Sequence, residues 1–141
     1  MSHLIREGIV LSAHDISDGG LAVAVSEMCM KNLVGVSIHV ESDNLTNSLT
    51  EAGFLFSEGQ GRILLEVVSM NAQAVLAQAK AANVPARFLG KTGGNELIVR
   101  NLEQKLVQID VGTLVTLYEE AIPNYMNTPV SAKRTSITER E

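Results

Sequence analysis

Apolar residues along this chain fall into short runs separated by glycine- and Asx-rich breaks, and the period inside each run predicts its structure. Ile9 to Ala13 is a compact apolar run ending at His14-Asp15, which reads as a buried strand closed by a turn. From Leu21 to Met30 apolar residues are nearly continuous. This predicts a helix apolar almost all round and therefore buried. Ser17 or Asp18 stands where a side chain can cap its free amides, and Glu27 lies four residues before Lys31 as a helical charge pair. Val34, Val36, Ile38 and Val40 alternate with Gly35, Ser37, His39 and Glu41, the period of a strand with one covered face and His39 on the other.

Further along, Asn44 to Ala52 reads as a short helix stopped by Gly53, and Arg62 to Val68 as a second, more deeply buried strand. Ala72, Val75, Leu76 and Ala79 recur at helical spacing, ended by Asn83 and Pro85. Arg87 to Lys91 and Glu96 to Val99 flank Thr92-Gly93-Gly94-Asn95, which predicts a hairpin. Leu106 to Val111 is one more strand, and Leu114, Leu117, Tyr118, Ala121 and Ile122 mark a last helix stopped by Pro123. The polar, aperiodic stretch Asn127 to Glu141 is expected to be a disordered tail. The fold class that follows is α+β, a layered mixed β-sheet with packed helices, in a single domain over residues 1–126.

Composition narrows the function. With 16 acidic against 11 basic residues the net charge is −5, and no basic stripe with interleaved aromatics offers a nucleic-acid footprint. A single cysteine, Cys29, permits no internal disulfide and fits a reducing, cytoplasmic setting. No apolar run approaches the roughly 18 residues of a membrane span. The expected partners are therefore neither nucleic acid nor membrane.

Two segments carry candidate chemistry. His14, Asp15, Ser17, Asp18, Gly19 and Gly20 lie between the first strand and the long helix. Free amides and the positive dipole end suit an anion there, and glycines let a phosphate come close, so the segment is a candidate phosphate or nucleotide cleft. The competing reading is a capped helix start with tight glycine packing. Ser57 to Arg62 presents Glu58, Gly59, Gln60 and Arg62 on a glycine-interrupted loop, able to bind a ribose, an amide or a phosphate, or to serve as a solvated turn.

Other patterns fail on their context. Gly90-Lys91-Thr92 resembles the end of a phosphate loop, but the required first glycine falls at Pro85 and a strand follows where a helix is needed. The three histidines share no metal-ligand spacing, and Ser12 beside His14 lacks a third triad member. Cys29, inside the long helix, reads as a small apolar filler.

The segments SAHDISDGGLAVAVSEM at 12–28, LFSEGQGRILLEV at 55–67, VPARFLGKTGGNELIV and the closing AIPNYM at 121–126 together resemble the last domain of phosphoribosylformylglycinamidine synthases. The resemblance spans nearly all of residues 5–126. It implies the C-terminal-domain fold shared with aminoimidazole ribonucleotide synthetases. It also implies an ATP- and magnesium-dependent ligase that converts formylglycinamide ribonucleotide to formylglycinamidine ribonucleotide. A glutamine amidotransferase subunit or domain would supply the ammonia, and the remaining synthetase domains would carry the catalytic histidine and the magnesium carboxylates. No catalytic or metal-ligating residue is therefore expected in this chain, and alone it should be inactive. In the family's first C-terminal-type copy an acid-Ser-Gln loop touches substrate; here the corresponding stretch is Glu58-Gly59-Gln60, with glycine in place of serine. The alternative is a free-standing small-ligand or interaction module.

Overall fold

The computed structural model describes residues 2–40 and 50–127. Helix α1 (Ser2–Arg6) precedes β1 (Val10–Asp15), α2 (Gly20–Asn32) and β2 (Val36–His39). After it come α3 (Glu51–Phe56), β3 (Ile63–Val67) and, behind a short 3₁₀ turn at Ser69–Asn71, α4 (Ala72–Ala81). Strands β4 (Gly90–Thr92), β5 (Glu96–Asn101) and β6 (Gln104–Asp110) lead into α5 (Val111–Asn127). Apart from α1, which no period announces, the element order follows the hydrophobic pattern.

The strands form two sheets rather than one. Strands β1 and β3 pair antiparallel as a ribbon, with Ala13 opposite Leu65 and Asp15 opposite Ile63. The other sheet has the order β4-β2-β5-β6, with β2 and β5 parallel and the outer pairings antiparallel. Parallel register sets Val36 beside Leu97 and Ile38 beside Val99, so period-2 alternation puts all four on one face. These residues, Val40, Leu21, Ala24, Val25 and Cys29 of α2, and Val111 at the start of α5 join one buried cluster with Ile16 and Leu55. Burying a core side chain of this size is worth about 1.5–3 kcal/mol. His39 points to solvent as its place in the alternation requires.

Several expectations are corrected. The hairpin between residues 87–91 and 96–99 does not form, because β2 lies between β4 and β5. The Gly93-Gly94 turn instead wraps around Gly35: the Gly35 N–H donates to the Gly94 carbonyl at 2.9 Å, and the Gly93 N–H donates to the Gly35 carbonyl at 2.8 Å. A turn residue fixes the reversal of the chain but not which strand fills the gap. The hairpin that does form joins β5 to β6 through Leu102, at φ 50°.

Strand β3 is not deeply buried: Ile63 is exposed and Leu64 to Val67 are half-buried. Gly53 does not stop a helix; it lies inside α3, where its amide donates to the Thr50 hydroxyl that caps the helix. Residues 44–49 of the expected helix fall outside the described residues. Nor does Pro123 end α5, which continues to Asn127. A proline removes one amide donor and crowds the preceding turn, but the residues after it keep helical geometry. Asn127 thus belongs to α5, and the remainder of the expected tail falls outside the described residues. In α2 one side stays exposed at Val23, so the helix is buried on one face rather than all round.

Candidate functional site

The two candidate segments, about forty residues apart in sequence, meet in space. Strand β1 delivers His14 and Asp15 to the end of the ribbon, and the ladder continues one step further through the Ile16 N–H, which donates to the Arg62 carbonyl at 2.9 Å. The chain then turns through Ser17 and Asp18 into two left-handed glycines, Gly19 (φ 76°) and Gly20 (φ 68°), that open α2. Ser17 and Asp18 do not cap the helix. Gly19 takes the cap position with no side-chain bond, which leaves Asp18 one residue outside the cap. The acceptor comes from the other loop: the Gly19 N–H donates to Glu58 Oε1 at 2.9 Å.

Gly20 makes this meeting possible. A Cβ on it would lie 2.7 Å from both the Leu55 carbonyl oxygen and the Phe56 carbonyl carbon, so the end of α3 packs directly on the start of α2. Phe56 leads into the Ser57–Arg62 loop, which is held by its own arginine: Arg62 Nη1 donates to the Ser57 carbonyl at 3.0 Å and to Ser57 Oγ at 2.8 Å. Gly59 and Gln60 stay exposed at the loop tip, and Asp15, Ser17 and Asp18 are exposed on the other side.

His14 faces a different direction. Its Nδ1 is 2.6 Å from the Asp15 carbonyl oxygen and 3.8 Å from Asp15 Oδ1, while Nε2 is 3.1 Å from Glu27 Oε2 on α2. A carbonyl only accepts, so Nδ1 carries a proton, and the second nitrogen is committed to a carboxylate. Both ring nitrogens thus face oxygen atoms of this chain. Glu27, expected to pair along the helix with Lys31, instead ties α2 to β1, as Ser12 Oγ ties β1 to β3 by donating to Glu66 Oε2 at 2.9 Å. Cys29 is buried in the core, and desolvation, with the nearby Glu66 carboxylate adding to it, pushes its thiol up to about 11. It is an inert filler, as its position in the apolar run predicts.

Among the described residues no group of three or more His, Cys, Asp or Glu could hold a metal ion. No helix among them is long and apolar enough to cross a membrane.

A family model described as AIR synthase related protein, C-terminal domain, matches residues 1–100. The chain belongs to this family. Its curated relatives include the phosphoribosylformylglycinamidine synthase subunit PurL of Rhodospirillum rubrum, 41% identical over 123 residues, and that of Brucella ovis, 38% identical over the same length. Each match covers 87% of this chain and 15% of the relative, so the AIR synthase related domain described above spans about 15% of those proteins. Solved structures of PurL from Thermotoga maritima share the fold. The form complexed with ATP superposes with a TM-score of 0.71 at 21% identity over 80% of this chain and 20% of that one. The form complexed with FGAR gives 0.72 at 21% identity, over 80% of this chain and 19% of that one.

Of the candidate residues, the AIR synthase related fold brings Gly19, Gly20, Glu58 and Arg62 into one joint, leaves Asp15, Ser17, Asp18, Gly59 and Gln60 on its exposed rim, and turns His14 away toward α2. Glu27, Leu55 and Phe56 belong to the arrangement but carry no local signal in the sequence, since each acts on a segment far from it along the chain.

Proposed function

We propose that this chain is the C-terminal-type domain of a phosphoribosylformylglycinamidine synthase, the ATP-dependent ligase that converts formylglycinamide ribonucleotide to formylglycinamidine ribonucleotide with glutamine-derived ammonia. The observation that carries the reading is the match, 41% identical across 87% of the chain, to a protein of that name. In this reading residues 1–126 act as one unit in the cytoplasm, together with the remaining synthetase domains and a glutamine amidotransferase that supplies ammonia.

The domain contributes architecture and one wall of a cleft, and no side chain of it acts in catalysis. Three features support that division. The amide at the start of α2, where a phosphate would seek a donor, is engaged by Glu58 of the same chain. Both nitrogens of His14 are committed. Among the described residues no three His, Cys, Asp or Glu side chains converge, and no step involving ATP or magnesium is assigned to them. The exposed rim of Asp15, Asp18, Gly59 and Gln60 is the part of this domain that would face substrate.

The test is genetic. The 123-residue segment of R. rubrum PurL is replaced by the matching segment of this chain, and the hybrid is introduced into a strain that requires purine. Growth without purine is expected from the hybrid and not from this chain alone. Failure of an expressed, folded hybrid to restore growth would overturn the reading.

A further inference from the structure

We propose that the outer face of the four-stranded sheet is a self-complementary docking surface, and that its occupant is a second copy of this chain packed about a two-fold axis. With Val36, Ile38, Leu97 and Val99 on the core side, the alternate residues of the strands look the other way. None of them is buried. Ser37, Glu96, Ile98 and Arg100 are half-buried, and Lys105, Gln108 and Asp110 are exposed.

The charges of this face are sorted by position along the strands. At the start of β5, Glu96 stands directly opposite Asp110 of β6; at its end, Arg100 stands directly opposite Lys105. Ile98, between them, is flanked by Ser37 of β2 and Gln108 of β6. Each end is therefore a cross-strand pair of like charges, an arrangement that destabilises an isolated sheet. Nearby groups of the same chain relieve it only with neutral partners. Glu96 Oε1 accepts from Gln108 Nε2 at 2.9 Å, and Gln108 Oε1 accepts from Lys105 Nζ at 2.7 Å. Asp110 accepts from the Thr113 N–H at 2.9 Å and from Asn95 Nδ2 at 3.3 Å. Among the described residues none of the four charged side chains has an ion-pair partner.

A second copy supplies the missing countercharges. A two-fold axis running across the strands at the level of Ile98 reverses the strand direction while keeping β5 over β5 and β6 over β6. It sets Glu96 and Asp110 of one copy over Arg100 and Lys105 of the other, twice per dimer, with Ile98 over Ile98 at the centre. Four residues separate Glu96 from Arg100, about 13 Å along an extended strand, so the two charged ends are distinct. A uniformly acidic or uniformly basic partner would satisfy one end and repel the other. Four strands about 4.8 Å apart and five residues about 3.3 Å apart make a face of roughly 300 Å². Stable complexes bury about 800 Å² per partner, so this dimer belongs to the weak, concentration-dependent class. Lys91, exposed on the edge strand opposite Ser37, meets its own copy across the axis and opposes the pairing.

Sedimentation equilibrium of the 141-residue chain at neutral pH, over a concentration series reaching the millimolar range, tests the proposal. A monomer–dimer equilibrium is expected. Arg100→Glu and Glu96→Arg should each weaken association at least about tenfold, since each sets like charges together twice. The double swap of both residues should restore association to near its starting value, and Lys91→Ala should tighten it. Circular dichroism checks that each variant folds, and Lys105→Glu, at an exposed position, repeats the test should either reversal fail to fold. A chain that stays monomeric across the series overturns the proposal, as does a dimer that both reversals leave intact. A double swap no stronger than the single reversals also overturns it, because the two residues would then matter without facing each other.

Discussion

Replacing Gly20 by alanine should be among the most damaging single-methyl changes this domain can suffer, and its cost can be assembled from two parts. The first is conformational. Gly20 holds φ at 68°, and an L-residue with a Cβ loses about 1–2 kcal/mol in the left-handed region. The second is steric: the new Cβ would sit 2.7 Å from the Leu55 carbonyl oxygen and the Phe56 carbonyl carbon. These are backbone atoms that cannot rotate aside, and overpacking of this kind costs about 1–3 kcal/mol. The sum is about 2–5 kcal/mol, a large part of the stability of an ordinary domain. At about 4 °C per kcal/mol for a chain of this size, the melting temperature should fall by roughly 8–20 °C.

Gly61 supplies the internal control. It has φ 78° but open space within 4 Å of where an added methyl would lie, so Gly61→Ala should lose only the conformational part, about 1–2 kcal/mol. Urea and thermal unfolding of the 141-residue chain, followed by circular dichroism, measures both variants. If Gly20→Ala and Gly61→Ala destabilise equally, the close approach of α3 to the start of α2 is not a determinant of the joint.

Further consequences can be checked on the same chain. Glu58→Ala removes the acceptor from the Gly19 amide and should cost about 1 kcal/mol by urea titration, with Glu58→Gln losing less because an acceptor oxygen remains. Leu21, only 1% exposed, should lose about 2–5 kcal/mol on substitution by alanine, read from the same denaturation curves. Cys29 predicts an alkaline effect. Its folded thiol holds its proton to about 11 against 9.0 in the unfolded chain, so the unfolded state binds fewer protons between those values and stability falls as pH rises through them. The fall attributable to this group is at most about 2–3 kcal/mol and should vanish from the difference curve with Cys29→Ala. At roughly neutral pH the thiol should react slowly with a disulfide reagent unless the chain is unfolded.

What could be read from sequence divides along the range of the interaction. The alternation of Val36 and Ile38 with Ser37 and His39 specifies β2 and its buried face, because a side chain's direction in a strand is fixed by its neighbours. The apolar run after Gly20 specifies α2 for the same local reason. The insertion of β2 between β4 and β5 is not local: the glycine turn at Gly93-Gly94 suits either a direct hairpin or one that brackets a third strand. Likewise Pro123 carries a rule for stopping a helix, yet α5 runs through it to Asn127.

The candidate site shows the same division. Its glycines and its carboxylate-bearing loop are recognisable as separate motifs, yet nothing along the chain says that Glu58 of one supplies the acceptor for Gly19 of the other. Glu27 has an ordinary helical partner in sequence, Lys31, and only the packing of α2 against β1 turns it toward His14.

The measurement that bears most directly on the account is the rate at which purified R. rubrum PurL, carrying this chain in place of its matching segment, forms formylglycinamidine ribonucleotide from the formyl-ribonucleotide, ATP, magnesium and ammonia. Product from the hybrid and none from the 141-residue chain alone is the predicted result. A folded hybrid that makes no product, or an isolated chain that turns over by itself, would contradict it.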